Sequence, residues 1–375
     1  MVNCRIFFMV LSGIFISSCV SIKKLNYQVD RKMHTPDQLR SDVDFIYNNL
    51  LEKHPGLFWY TSKSVFEKRA DSLKSSFVEP LNSREFFKRV SPFVASVNCG
   101  HTRLLLVTKK FTKYEKDSIE KVGIKPLRQF NYVVKNERIF IRNNKSGDSS
   151  LNPGTEILAI DNKPAATVIQ ILTSRIPSDG YNSTYKYEAL NKNFSSWYAA
   201  VLGDPDSLNF SFKKRTDAYN KTVKTYAVKK QSVTVKKMTS AELENKKKAD
   251  REIKKMRYRG FDENKKPLLS YKILDSGTRT ALIKIKSFSF PNADFDRFFK
   301  ETFQQINNEG IANLVLDLRD NGGGSLRASR NLFSYLTDKD FTYLQRADAN
   351  GRFLITNRKL SGLLLAPSTW LANIL

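Results

Sequence analysis

The chain holds 375 residues, 41% hydrophobic and 27% charged, a balance that excludes a disordered chain and leaves room for two or three packed domains. A formal charge of +26, from 63 Lys and Arg against 37 Asp and Glu, would suggest a nucleic-acid partner for a cytoplasmic protein. With 3 cysteines, 3 histidines and no clustered carboxylates, chain order shows neither a disulfide framework nor a metal site.

Residues 1–18 run from Met1 through Arg5 into the apolar stretch Ile6 to Ile16, broken by Ser12 and Gly13, and end at Ser17 and Ser18. About eleven apolar-rich residues are too few to cross a bilayer core of about 30 Å, which takes about 20, so the stretch reads as a removable secretory signal. The run Ile16-Ser17-Ser18-Cys19 resembles the lipobox of bacterial lipoproteins. That resemblance implies cleavage before Cys19, diacylation of its thiol, and an envelope protein held at the outer membrane or on the periplasmic face. The plainer alternative is an ordinary signal peptide that ends near a cysteine. Cys4 leaves with the signal and Cys19 is acylated, so Cys99 has no intramolecular partner. Export removes the nucleic-acid partner. Seventeen Lys and Arg between Lys213 and Arg259 face five acids. They suit either an anionic lipid surface, at up to about 1 kcal/mol per cation, or a solvated lysine-rich insertion.

Residues 19–33 read as a polar tether, and residues 34–110 as a helical domain. Thr35 is placed to cap a helix with Pro36 at its first position and Gln38 completing a capping box. Leu39, Val43, Ile46 and Leu50 then form one apolar stripe, and Phe66, Ala70, Leu73 and Phe77 a second. A third helix begins near Asn82 or Ser83 and carries Phe86, Val90, Phe93 and Val97. Residues 111–239 change to β-prone runs, Tyr132 to Val134, Arg138 to Ile141 and Gly154 to Ile160. The turn Asp161 to Pro164 follows, then a helix bearing Val168, Leu172 and Ile176. Strand candidates at Thr222–Val228 and Ser232–Val235 form the basic edge of this module. Residues 240–270 are a charged connector, helical from Ser240 to about Arg257. Residues 271–375 alternate: a strand at Ala281–Ile285, a helix at Asp294–Asn307, a buried strand at Asn313–Leu318 and a helix after Gly322–Gly324. That order predicts a parallel pair with a crossover.

The strongest candidate site is Asp317-Leu-Arg-Asp-Asn-Gly-Gly-Gly324, where a strand's carboxyl end meets a helix N-terminus and backbone N–H groups converge. Three glycines let a substrate approach the backbone, so the loop suits a negatively charged oxygen. It lacks the Gly-Lys-Ser/Thr of a phosphate loop and the spacing of a dinucleotide fingerprint. The plainer alternative is a turn in which Asp317 and Arg319 simply pair. The second site is Asn98-Cys-Gly-His-Thr102, between the third helix and a strand from Arg103 to Val107.

These motifs together resemble the C-terminal processing, or tail-specific, serine peptidases, in the histidine-using branch similar to the tricorn core protease. The resemblance rests on Cys99 to Thr102, on Gly154 to Ile160 as the mark of a PDZ-like domain, and on Asp317 to Gly324, in that order, with His54-Pro-Gly-Leu57 upstream. It covers nearly all of the mature chain. It implies a multidomain α/β protein: an N-terminal helical domain, a PDZ-like β-rich domain and an incomplete ClpP/crotonase-like α/β catalytic domain. It further implies that His101 is the general base, that backbone N–H groups of Gly322 and Gly323 form the oxyanion hole, and that the PDZ-like module binds a peptide's C-terminal end by strand addition. No cofactor is implied, and His54 reads as a packing residue.

The pattern breaks at the nucleophile. In that family the serine lies well beyond the glycine motif, whereas 51 residues follow Gly324 here. Ser325, Ser329, Ser334, Ser361 and Ser368 lack the expected strand-to-helix setting, and Ser325 suits a helix cap. The acid that orients His101 is expected in the same missing part. Cys99 is a substitute nucleophile on paper, but side chains two residues apart on one strand seldom reach a common carbon, and no well-placed cation is evident to activate the thiol. Residues 361–375 carry no charge, and Leu363 to Pro367 have no evident partner, as expected of an interrupted reading frame. The expectation is a serine endopeptidase by descent that does not cut as written. The alternative is a lipid-anchored peptide-binding protein.

Overall fold

Helix caps set the first layer. In the computed structural model, which describes residues 31–106, 111–114, 123–214, 217–226, 239–262, 266–289, 293–319, 321–343, 359–360 and 363–366, strand β1 (Met33–His34) leads into helix α1 (Pro36–Lys53). Thr35 Oγ1 accepts from Gln38 N and Gln38 Oε1 accepts from Thr35 N, the capping box read from the sequence. Helix α1 buries Leu39, Val43, Ile46 and Leu50, and α2 (Lys63–Ser75) buries Phe66 and Ala70. Phe77 lies past the end of α2 yet is fully buried. Strand β2 (Leu81–Asn82) pairs antiparallel with β1, and the Asn82 side chain caps α3 (Ser83–Ala95) by accepting from Arg84 N and Glu85 N. Phe86 and Val90 on α3 have no exposed surface. Cutting Phe86 back to alanine is worth about 3–5 kcal/mol. Strand β3 (Arg103–Leu106) follows.

The next layer is an antiparallel sheet of β4 (Phe130–Lys135), β5 (Arg138–Asn144), β6 (Glu156–Ile160), β8 (Ser207–Lys214) and β9 (Asp217–Lys224), with β7 (Lys163–Pro164) on β6. Asn136 and Glu137 join β4 to β5, and Asp161 and Asn162 join β6 to β7, all four with φ between 51° and 61°. Two left-handed residues in succession match the twist of a tight hairpin. Helices α4 (Ala165–Thr173) and α5 (Thr184–Val201) separate β7 from β8. Helix α5 buries Leu190, Phe194, Tyr198 and Val201, and β8 buries Leu208, Phe210 and Phe212 in strict alternation. Neither element was expected from the sequence. One cluster of buried side chains runs continuously from α1, α2 and α3 into this sheet.

The other unit takes in described residues 239–343. Helix α6 (Ser240–Lys255) precedes β10 (Leu269–Asp275) and β11 (Thr280–Ile285), an antiparallel pair. Strand β12 (Asn313–Asp317) lies parallel to β11, with α7 (Phe295–Asn308) as the crossover and Ile283 opposite Leu316. The Asp294 carboxylate caps α7, which buries Phe298, Phe299, Thr302, Phe303 and Ile306. Strand β12 was expected to be buried, but Val315 is 43% exposed. The sheet order β10-β11-β12 makes it an outer strand among the described residues. Helix α8 (Leu326–Ser334) follows, with Ser325 Oγ accepting from Ala328 N at 3.2 Å.

Strands β13 (Lys359–Leu360) and β14 (Leu363–Ala366) fall in the same unit as β3. The run at 363–366, which had no evident partner, pairs antiparallel with β3, Leu363 opposite Leu106 and Ala366 opposite Arg103. The reason is open backbone valence: β3 leaves its loop as an extended segment whose N–H and C=O groups need a neighbour. The signal segment, Cys4, Cys19, Ser232–Val235, Ser361 and Ser368 lie outside the described residues. Among the described residues no helix is long and apolar enough to cross a membrane.

Candidate functional site

Helix α3 stops at Ala95, and Asn98 then takes a φ of 57°, a left-handed turn that asparagine tolerates. Thr102 N–H donates to Cys99 O at 3.0 Å, so Cys99, Gly100 and His101 sit in a closed turn rather than along a strand. Residues 177–182, after α4, are bonded onto this turn. Gly180 N–H donates to Asn98 O at 2.9 Å, and Gly100 N–H donates to Asp179 Oδ1 at 2.6 Å. Gly180 is needed here, because its φ is 61° and an added Cβ would stand 3.1 Å from the Tyr60 ring. Tyr181 crosses back over that ring, and its hydroxyl donates to Tyr60 O at 3.1 Å.

The bonded loops unite side chains far apart in sequence. One ligating atom each from Cys99, His101 and Asp179 lies within 4.8 Å of the others, with Cys99 half-buried and the other two exposed. The acid partner expected outside the chain thus has a candidate inside it. Nothing in chain order marked Asp179, since Ser178-Asp-Gly180 reads as an ordinary turn.

Burial opposes a charge on Cys99, but the polar groups of His101, His54 and Thr102 around the sulfur outweigh it and bring the thiol down to about 5. His101 is raised in return, first by its bond to Cys99 against the cost of burial, then by the charges of Cys99 and Asp179. Each group thus favours the charged form of the other, and the neighbour able to lower the thiol, which chain order did not reveal, is His101 itself. His54, read as a packing residue, also serves the sulfur. Gly56 N–H donates to its Nδ1 at 3.2 Å, which leaves the proton on Nε2. That Nε2 and Thr102 Oγ1 are both buried with no hydrogen-bond partner.

Beside the same turn, a cleft of about 1170 Å³ is lined by Lys68, Arg69, Lys88, Arg89, Arg175 and Lys186 and by no carboxylate. Arg175 Nε is buried there with no partner. On the sheet, the outer strand β4 has its Val134 N–H occupied by Asn191 Oδ1 of α5 at 2.6 Å.

The glycine loop of the other unit is closed on itself. Asp317 accepts from Arg319 Nε and Nη2 and from Lys284 Nζ, each at 2.8 Å. These bonds, that to Arg319 foremost, hold its carboxylate well below the usual range. Gly323 N–H donates to Asn321 Oδ1 at 2.7 Å, whereas Gly322 N–H has no acceptor among the described residues. Gly324 lies against Phe288: Phe288 N–H donates to Gly323 O and Ser325 N–H donates to Phe288 O, each at 2.9 Å. A Cβ on Gly324 would fall 2.1 Å from the Phe288 carbonyl carbon. Ser325 caps α8, as its position in the loop suggested.

No curated protein matches the chain. Among solved structures, mature CPAF complexed with lactacystin is similar at 13% identity and a TM-score of 0.46, over 80% of this chain and 59% of that one. The crystal structure of mature CPAF is similar at 13% identity and a TM-score of 0.43, over 78% and 56%. The chain thus spans under three fifths of the length of either. A family model described as Peptidase family S41 matches residues 279–361, the segment that holds β12, the glycine loop and α8.

Proposed function

We propose that the protein is a serine-type endopeptidase of the tail-specific kind, in which His101 is the general base and Asp179 orients it. The observation that supports this is the bonded pair of loops that sets Asp179 beside His101, in a chain whose residues 279–361 match family S41. In this reading His101 takes the proton of the attacking hydroxyl, and the Asp179 carboxylate stabilises the imidazolium that results. Of the two donors expected for an oxyanion, Gly322 N–H is the one left without an acceptor among the described residues, since Gly323 N–H is committed to Asn321. The cationic cleft beside Asn98 suits a peptide's C-terminal carboxylate or acidic side chains. No serine among the described residues is assigned as nucleophile. The test is hydrolysis of a peptide mixture by the full chain, with fluorophosphonate labelling to find the serine. Loss of at least about a hundredfold in both His101→Ala and Asp179→Asn is expected. Hydrolysis indifferent to either substitution would sink the assignment.

A second reading, a peptide-binding protein that does not hydrolyse, is favoured by the glycine loop, whose Asp317 and Gly323 are already satisfied within the turn. It predicts anisotropy changes with labelled peptides bearing a free C-terminus, weakened by C-terminal amidation, with no cleavage. In either reading we place the protein in the cell envelope, held by a lipid on Cys19. Incorporation of an alkyne fatty acid that disappears in Cys19→Ser is the expected result.

A further inference from the structure

We propose that Cys99, His101 and Asp179 form a binding site for a thiophilic divalent cation of the zinc type. Sulfur, imidazole nitrogen and carboxylate oxygen are the donors such an ion takes, and these three already lie within 4.8 Å of one another. A tetrahedral ion with Zn–S near 2.3 Å and Zn–N near 2.0–2.1 Å holds its ligand atoms roughly 3.3–3.7 Å apart, so modest side-chain rotation closes the cluster. One thiolate and one carboxylate neutralise a dication.

The backbone fixes all three ligands. Cys99 and His101 belong to a turn closed by Thr102 N–H on Cys99 O, and Asp179 belongs to a loop tied to it by Gly180 N–H on Asn98 O. Around them stand groups of the sort that orient metal ligands. Gly100 N–H holds Asp179 Oδ1 and leaves Oδ2 to coordinate. His54, its Nδ1 occupied by Gly56 N–H, keeps a buried and unpartnered Nε2–H and is one of the groups that favour charge on the sulfur. His101 and Asp179 are exposed, so a fourth position is open to water. The site stands without the peptidase reading. Where that reading holds, ion and reacting serine compete for His101.

The test uses the untagged full chain, stripped with chelator and titrated with Co²⁺. The expected result is one equivalent bound with a sulfur-to-cobalt charge-transfer band, bleached by Zn²⁺. Cys99→Ser should abolish the band, and His101→Ala and Asp179→Asn should each weaken binding at least tenfold. If Cys99→Ser fails to fold, Asp179→Asn, at an exposed position, decides the matter through its affinity. No band in the parent chain, a band that survives in folded Cys99→Ser, or unchanged affinity in Asp179→Asn overturns the proposal. Peptide hydrolysis is not read, so failure here leaves the peptidase assignment where it stood.

Discussion

The turn at 98–102 and the loop at 317–325 were both singled out from the sequence, and they solve the problem of polar groups in opposite ways. The glycine loop satisfies most of its own polar groups: Asp317 is clasped by Arg319 and Lys284, Gly323 N–H is taken by Asn321, and Ser325 caps the next helix, while Gly322 N–H has no acceptor among the described residues. The Cys99 turn does not. It leaves His54 Nε2 and Thr102 Oγ1 buried without a partner, and both converge on a sulfur whose charge is thereby favoured. A loop whose bonds are mostly internal serves first as a structural joint, whereas unspent donors around a thiol that favours its charged form mark a place where something is bound or transformed.

Four measurements can break or sharpen that contrast. The largest effect is expected at Gly324, where φ is 142° and a Cβ would meet the Phe288 backbone at 2.1 Å. Gly324→Ala should cost about 3 kcal/mol or more. Gly322→Ala, with nothing within 4 Å, should stay within about 0.5 kcal/mol. Paired thermal melts read the difference, and equal losses would mean the loop is not the joint described.

Acid comes next. Because the folded carboxyl of Asp317 titrates below its unfolded value of about 3.9, its contribution is fully present above that pH and is lost as pH falls through the folded value. Asp317→Asn should therefore flatten the acid limb of urea midpoints measured from neutral pH downward, and should weaken the fold at neutral pH by removing the carboxylate that Lys284 and Arg319 bind. A parallel acid limb in the variant would refute the clasp.

Cys99 supplies the third. A thiol at about 5 is ionised through the neutral range and protonates only as pH falls through that value. In chelator-treated protein, iodoacetamide should react at a rate flat from pH 8 to 6. At pH 6 it should exceed a free thiol by about tenfold, the gain in thiolate being partly offset by lower nucleophilicity. A rate that climbs steadily towards pH 8.5 would show an ordinary buried thiol.

The smallest effect concerns His101, whose raised pKa owes more to Cys99 than to Asp179. Its stabilising contribution is present below the unfolded value of about 6.5 and fades as pH rises through the folded one. NMR titration should show a downward shift in Asp179→Asn and a larger one in Cys99→Ser. The reverse order would relocate the imidazolium's main partner.

Chain order made the local features legible. The Thr35 capping box, the stripe on α1, the Asp161–Asn162 turn and the parallel pair of β11 and β12 all depend on residues close together or on element order. What escaped depended on distance. Asp179 joins His101 through backbone bonds between two loops, and no local pattern announces a carboxylate in a plain turn. Helix α5 hid its stripe among lysines and asparagines and is interrupted at Asn193. Strand β8 went unread although its alternation is strict, because it runs into the start of the basic stretch at Lys213 and Lys214. His54 was read as packing because its nearness to the sulfur, and the Gly56 bond that fixes its tautomer, exist only in the folded chain.

The pairing of β3 with β14 has a consequence for the order of events in folding. Arg103 and Ala366 are opposite one another yet belong to distant parts of the chain, with the whole 239–343 unit between them. Contacts of such separation close late, because loop entropy has to be overcome before any bond rewards it. On a ribosome, the strand that leaves the His101 turn therefore waits for its neighbour until residue 366 has been made. Until then β3 is an unpaired extended segment beside the turn that carries Cys99 and His101, open to whatever strand reaches it first.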